Sequence, residues 1–511
     1  MAEGAGKVYL IGAGPGAADL VTLRAAELVR DADVVVYDVL ANEDLLGAAS
    51  PSAELICAGD APGGAMSLKR EDLTRILIER ARAGKSVVRL SGGDPFFFGS
   101  GGEEAAALAA AGIDFEVVPG VSLASAAPAF AGIPLTYREH GAPIIFVKID
   151  QPAEPELAQP WADLASVGRH HGTLLLSMAA ARMRASLARL ISEGMPADTP
   201  AAVIFDGTLA AQRVVAATLA TLAAETERAK LAGPAIIVVG ECASLRNRRR
   251  WFERRPLFAR RIVVTRGSTN AAALARPLRA NGAEVIEFPT IQTTQPDSYA
   301  ALDAALANLG SFDWVIFTSA TGVDSFIARL TALGRDIREL GRARIAAIGP
   351  ATAARLKRYA LRIAIQPSEY RAEAIAEAIG AARIRGARFL IPRAQVAREA
   401  LPEILADQGA SAVEVVPSYK TVMPKGARTE RMRRLVDAGA IDLVAFTSSS
   451  TVTNFCAIVG AVPHGLKAGA IGPITAETAR TLGFEVVVSP SEYTIDALVA
   501  AITEYFAKRG K

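Results

Sequence analysis

The stretch "VYLIGAGPGAADL", residues 8–20, decides how the first part of this chain is read. Four apolar residues suggest a strand, three glycines follow, and helix-like sequence comes next. Gly12, Gly14 and Ala17 satisfy the G-x-G-x-x-G/A turn of a dinucleotide-binding unit, and Asp38, ending "DVVVYD", stands where a ribose-binding acid is expected. Pro15 argues the other way, because proline fixes φ and removes an N–H that could hold pyrophosphate. The turn alone therefore admits a nicotinamide oxidoreductase or a loop for a different ligand.

Composition narrows the field. With 511 residues the chain is expected to form two to four domains, and 51% hydrophobic with 21% charged residues indicates a globular protein. A formal charge of +3 gives no argument for a nucleic-acid partner. Cys57, Cys242 and Cys456 lie far apart without a C-x-x-C, and there are only four histidines, so no metal site is expected. The first residues, "MAEGAGK", lack an apolar h-region, and no membrane span stands out, so a cytoplasmic location is expected.

Short β-rich runs alternate with Ala/Leu/Arg-rich helical stretches throughout, which predicts α/β architecture with mostly parallel sheets. The charged stretch "RNRRRWFERRPLFAR", residues 246–260, fits neither period and reads as a solvated boundary. The expected division is 1–245, a linker at 246–257, and 258–511.

The second half repeats itself. "IVVTRGSTNAAALARPLRANGAEVIEFP" from Ile262 matches "FLIPRAQVAREALPEILADQGASAVEVVP" from Phe389. "DWVIFTSATGVDSF" from Asp313 matches "DLVAFTSSSTVTNF" from Asp442, and "AAIGPATA" matches "GAIGPITA". Three blocks in one order predict two similar lobes, 258–290 plus 420–511 and 291–419, with a cleft between them. Each lobe has a strand running into hydroxyl residues and a helix: Thr318 and Ser319, then Thr447, Ser448 and Ser449. Each also has a Gly-Pro helix start, at Gly349 with Thr352 and at Gly472 with Thr475. Taken singly these are ordinary helix caps. Together, four helix N-termini turned toward one cleft suit a ligand with several carboxylates or phosphates. Arg266 and Arg393, at strand ends, either add bidentate contacts to such a ligand or form surface ion pairs.

In the first half three more turns follow "GAGPG": "GGDP" at Gly92–Pro95, "VVPGVS" at residues 117–122, and "DGTLAAQRVV" at residues 206–215. Glycine pairs let a ligand approach the backbone closely, and Asp-Pro favours a sharp turn.

"FTSATGVDSF", "IGPATA", "SYKTV", "FTSSSTV" and "YTIDALV" make residues 258–511 resemble uroporphyrinogen-III synthase. That family closes linear hydroxymethylbilane into uroporphyrinogen III with inversion of ring D and uses no cofactor. The resemblance makes Tyr419 of "SYKT" the candidate for assisting loss of the hydroxymethyl oxygen, against a plain packing role between the lobes.

Residues 7–245 resemble the tetrapyrrole methylase family, and within it uroporphyrinogen-III C-methyltransferase, which makes precorrin-2 with S-adenosylmethionine. The resemblance implies a two-domain α/β fold that usually dimerises. It also implies donor contacts from Pro15, Gly92, Gly93, Asp94, Phe97, Ser122, Leu123, Met178 and Gly207, with Asp38 as proton acceptor or else a cap or ion-pair partner. Arg89, Arg138 and Arg213 are candidates to hold substrate carboxylates. The sequence departs from the family where Asp60, Ser91, Ser100 and Tyr137 replace basic or polar pocket residues, Asp60 standing at an expected lysine. The leading expectation is a bifunctional enzyme acting on small-molecule tetrapyrroles, without nucleic-acid or membrane partners. Its alternative is an active synthase whose methylase half is inactive or altered in substrate.

Overall fold

The computed structural model describes residues 6–38, 43–50, 52–59, 68–138, 143–149, 160–169, 171–265, 268–367, 372–395, 400–424 and 427–509. Asp60 and Arg266 lie outside the described residues. The strands form four five-stranded sheets, two in each half of the chain.

The first sheet is wholly parallel, in the order Glu54–Cys57, Val34–Tyr37, Val87–Ser91, Val8–Gly12, Phe115–Val118. Helices cover both faces, which is why its inner strands are apolar runs without polar alternation. Leu10, Val36 and Val87 pack on one face with Leu77 and Leu108, while Ile11, Val35 and Val88 pack on the other with Ala25 and Val29. Val8–Gly12 lies between Val87–Ser91 and Phe115–Val118, so "GAGPG", "GGDP" and "PGVS" leave the same edge of the sheet. That edge is the carboxyl end of the strands, where open α/β sheets bind ligands.

The second sheet is mixed, in the order Ile144–Ile149, Thr173–Ala179, Pro234–Val239, Pro200–Phe205, Arg213–Thr218. Only its first pair is parallel. The stretch 246–260, expected to be solvated, is exposed at residues 247–251, Arg254 and Pro256 but anchored at three points. Arg246, Phe252 and Leu257 are buried, because Phe252 and Leu257 turn inward and the arginine finds an acid, Glu253.

Both sheets of the second half show the repeat. One runs Glu284–Glu287, Arg261–Val264, Leu443–Phe446, Lys467–Ala470, Glu485–Val488, all parallel. The other runs Gln292–Thr294, Ala412–Val422, Arg388–Ala394, Trp314–Phe317, Arg344–Ala347, with Gln292–Thr294 antiparallel to its neighbour. In each, the matching blocks occupy neighbouring positions: Arg261–Val264 beside Leu443–Phe446 beside Lys467–Ala470, and Arg388–Ala394 beside Trp314–Phe317 beside Arg344–Ala347. Trp314–Phe317 and Leu443–Phe446 are buried along their whole length.

Candidate functional sites

At the edge of the first sheet the glycine turns lock together. Gly14 N–H donates to Gly93 O at 3.1 Å, and Gly93 N–H donates back to Gly14 O at 2.8 Å. Gly120 N–H donates to Asp94 Oδ2 at 2.9 Å and Phe96 N–H to Asp94 Oδ1 at 2.8 Å, so the Asp94 carboxylate ties "GGDP" to "PGVS". A Cβ on Gly12 would fall 2.5 Å from Gly120 Cα and Gly93 O, so only glycine permits this approach. Ser122 caps the helix Leu123–Phe130 by accepting Ala124 N–H. Gly207 fits against Ala127, Phe97 is partly exposed with its ring edge-on to Phe146, and Met178 is buried in its strand. Pro15 O accepts a hydrogen bond from Thr208 Oγ1.

Asp38 follows the strand Val34–Tyr37, held by its N–H to Leu90 O at 3.1 Å. Its carboxylate meets Arg89 at 2.8 Å and its side chain remains 34% exposed. Burial, and then Cys57, pushes the neighbouring Tyr37 phenol up. Arg89, a sequence candidate for holding substrate carboxylates, has a side chain 3% exposed and turned toward the protein's own acids. It reaches Glu104 Oε1 at 3.3 Å and donates to Leu90 O at 3.0 Å. Ser100 Oγ donates to the same Glu104 oxygen at 2.7 Å. A guanidinium this deep needs paired acids, since desolvation costs several kcal/mol per ion. In this structure Arg89 is held between Asp38 and Glu104. Ser91 Oγ and Glu104 Oε2 are buried without a protein partner. Arg138 and Arg213 are exposed, the latter donating to Ala211 O and Gln212 O.

In the second half, Ser319 caps the helix Ala320–Ala332 by accepting Gly322 N–H at 2.9 Å, and Ser448 caps Ser449–Val459 by accepting Thr451 N–H. Tyr419, on the strand Ala412–Val422, places its hydroxyl 3.0 Å from Ser319 Oγ. Thr318 and Thr447 are half-buried beside these caps, and Ser449 Oγ donates to Ile474 O at 3.3 Å, joining two helix starts. Gly472 opens the helix Pro473–Thr481 under the Tyr493 ring, with Thr475 buried in its first turn. Arg393 is buried near the end of its strand. Next to Tyr419, Lys420 and Gln395 hold the Asp297 carboxyl below its ordinary range by hydrogen bonding. Among the described residues, no group of three or more His, Cys, Asp or Glu is placed to hold a metal ion.

Sequence reasoning missed Glu104, Thr208, Gln212 and Glu253. Thr208 and Gln212 lie inside the quoted "DGTLAAQRVV", but nothing local distinguishes them from ordinary turn residues.

Comparison with known proteins completes the picture. The family model described as "Tetrapyrrole (Corrin/Porphyrin) Methylases" matches residues 7–223, and "Uroporphyrinogen-III synthase HemD" matches residues 272–500. The "Porphyrin biosynthesis protein HemD" of Ruminiclostridium josui is 34% identical over 504 residues, 98% of each chain. The chain belongs to the tetrapyrrole methylase and uroporphyrinogen-III synthase families. It is an enzyme of tetrapyrrole biosynthesis with a methylase half followed by a synthase half, and the nicotinamide reading of "GAGPG" is set aside. The "Uroporphyrinogen-III C-methyltransferase" of Bacillus subtilis is 36% identical over 362 residues, 71% of this chain and 74% of that one. The uroporphyrin-III-C-methyltransferase structure from Thermus thermophilus matches 48% of this chain and 96% of its own, at 36% identity and a TM-score of 0.40. No described helix is long and apolar enough to cross a membrane.

Proposed function

We propose that the synthase half cyclises hydroxymethylbilane to uroporphyrinogen III with inversion of ring D. The methylase half then transfers methyl groups from S-adenosylmethionine to give precorrin-2. The observation that supports the methyltransferase reading is the meeting of Gly12, Gly93 and Gly120 at the carboxyl end of the parallel strands, where the glycine turns pack too closely for any side chain and the backbone itself faces the ligand edge. S-adenosylmethionine supplies an electrophilic methyl group on sulfur. The chain has to position it in line with an electron-rich carbon and accept the proton that the ring later loses. Pro15, Gly92, Gly93, Asp94, Phe97, Ser122, Leu123, Met178 and Gly207 are assigned to the donor and Asp38, oriented by Arg89, to the proton. In the synthase half Tyr419 assists departure of the hydroxymethyl oxygen. The helix starts at Ser319, Gly349, Ser448 and Gly472, with Arg266 and Arg393, receive the substrate carboxylates. The enzyme acts as a homodimer through its methylase half, in the cytoplasm.

A second reading, an active synthase with a methylase half altered in substrate, is favoured by one observation. Ser100 donates to buried Glu104, and Ser91 Oγ is itself buried, so both hydroxyls are turned into the protein and away from a polycarboxylate. One assay separates the readings: purified protein with hydroxymethylbilane, with and without S-adenosylmethionine. Precorrin-2 appearing only with the donor supports both activities. Uroporphyrinogen III in both arms supports the second reading, and uroporphyrinogen I in both removes the synthase.

A further inference from the structure

The stretch 246–258 grips the methylase half by specific bonds. Arg246 donates to both Glu253 oxygens, at 3.0 and 2.8 Å, and to Ala131 O at 3.0 Å. The Trp251 indole N–H donates to Ala129 O at 2.9 Å, and Phe130 meets Trp251 and Phe252 edge-on at 5.0 and 4.8 Å. These contacts hold the end of the helix whose beginning is Ser122 and Leu123.

From Glu253 a polar chain runs inward. Gln212 Nε2 donates to Glu253 Oε1 at 3.2 Å, and Gln212 Oε1 accepts Thr208 N–H at 3.0 Å. Thr208 Oγ1 donates to Pro15 O and accepts Ala17 N–H, both at 3.2 Å. Thr208 has a φ of 76°, a conformation that costs a non-glycine residue energy and needs external support. Gln212 is 1% exposed, so an unmade amide bond there would go uncompensated by water. The stretch also reaches the synthase half: Leu257 N–H donates to Asn281 O at 2.9 Å, and Arg255 packs on Gly282. Between the 16–20 loop, Trp251, Arg255 and Arg279 lies a cavity of about 530 Å³. Leu209 packs on the loop at Gly16, the rest of its back faces this cavity, and the bonds to Thr208 tie it to the methylase half.

We propose that residues 246–258 are a strap, and that Glu253 and Gln212 are positioning residues that set the donor loop at Pro15–Ala17 through Thr208. The inference rests on the reading of that loop as part of the methyl-donor site. It is tested in the full chain with Gln212→Met, close in size and without hydrogen bonds. Exchange of the 13–20 amides should quicken and the Kd for S-adenosylhomocysteine should rise, each by roughly fivefold to tenfold, as for one lost hydrogen bond. Synthase turnover should stay as in the wild type. Gln212→Glu, which sets carboxylate against carboxylate, should act in the same direction. Thr208→Val removes the bonds to Pro15 O and Ala17 N–H at nearly the same size and should also quicken exchange, whereas Thr208→Ser, which keeps the hydroxyl, should leave it slow, a difference that loss of packing alone cannot explain. Wild-type exchange in Gln212→Met overturns the proposal. If that variant fails to fold, equally slow exchange in Thr208→Val and Thr208→Ser overturns it. If the wild type does not bind S-adenosylhomocysteine, the donor reading falls, while the exchange comparison still decides the strap.

Discussion

The Tyr419 hydroxyl lies 3.0 Å from Ser319 Oγ, and the same oxygen accepts Gly322 N–H at 2.9 Å. A phenol on one element is thereby fixed to the first turn of a helix whose free N–H groups favour negative charge.

Tyr419→Phe keeps the ring and removes only the hydroxyl. Synthase turnover should fall by roughly 10²-fold, the lower end for loss of a proton donor, with the melting temperature little changed. Ser319→Ala should cost about 1 kcal/mol of stability through the lost cap and reduce turnover less. Unchanged turnover in Tyr419→Phe would make Tyr419 a packing residue only.

Arg89 and Asp38 should separate stability from chemistry. Arg89→Ala leaves the buried Glu104 unpaired, so unfolding free energy should drop by roughly 3–5 kcal/mol, measurable by denaturant titration. Asp38→Asn touches a partly exposed carboxylate, and should suppress methyl transfer while S-adenosylhomocysteine still binds. Equal losses of stability in both variants would remove the assigned proton role.

Gly12→Ala inserts a Cβ 2.5 Å from Gly120 Cα. The three turns must then separate, and donor binding measured by calorimetry should be lost, while synthase turnover persists. Binding at wild-type strength would place the donor elsewhere.

Acid should act on the synthase half through Asp303. Bidentate hydrogen bonding from Arg329 holds its carboxyl below the ordinary range. A depressed folded value stabilises the fold above the unfolded value, near pH 3.9, and that stability is lost as pH falls through the folded one. Asp303→Asn should therefore melt below the wild type at pH 7, and the difference should vanish at strongly acidic pH. A difference independent of pH would mean that packing, not the ion pair, carries it.

Much of the fold is legible along the chain. Apolar runs such as "DVVVYD" mark strands covered on both faces, and the matched blocks at Ile262 and Phe389 occupy matching places in their two sheets. Glycine turns are legible because close approach leaves no alternative residue. Charged residues are less so. Arg89 reads along the chain as a substrate contact, and its internal ion pair depends on Glu104, on a helix fifteen positions away.

The sequence by itself carried the resemblance to the two families in its motifs, and it determined the strand ends that bear the turns and the repeat, since these depend on local periodicity and on residue types that backbone geometry demands. Only the tertiary structure decided which face each charge takes. It buried Arg246 on Glu253, passed a hydrogen-bonded chain through Gln212 to Thr208, and fixed Tyr419 on Ser319. Burial and pairing depend on what distant segments bring alongside, and a charged run such as "RNRRRWFERR" carries no record of that.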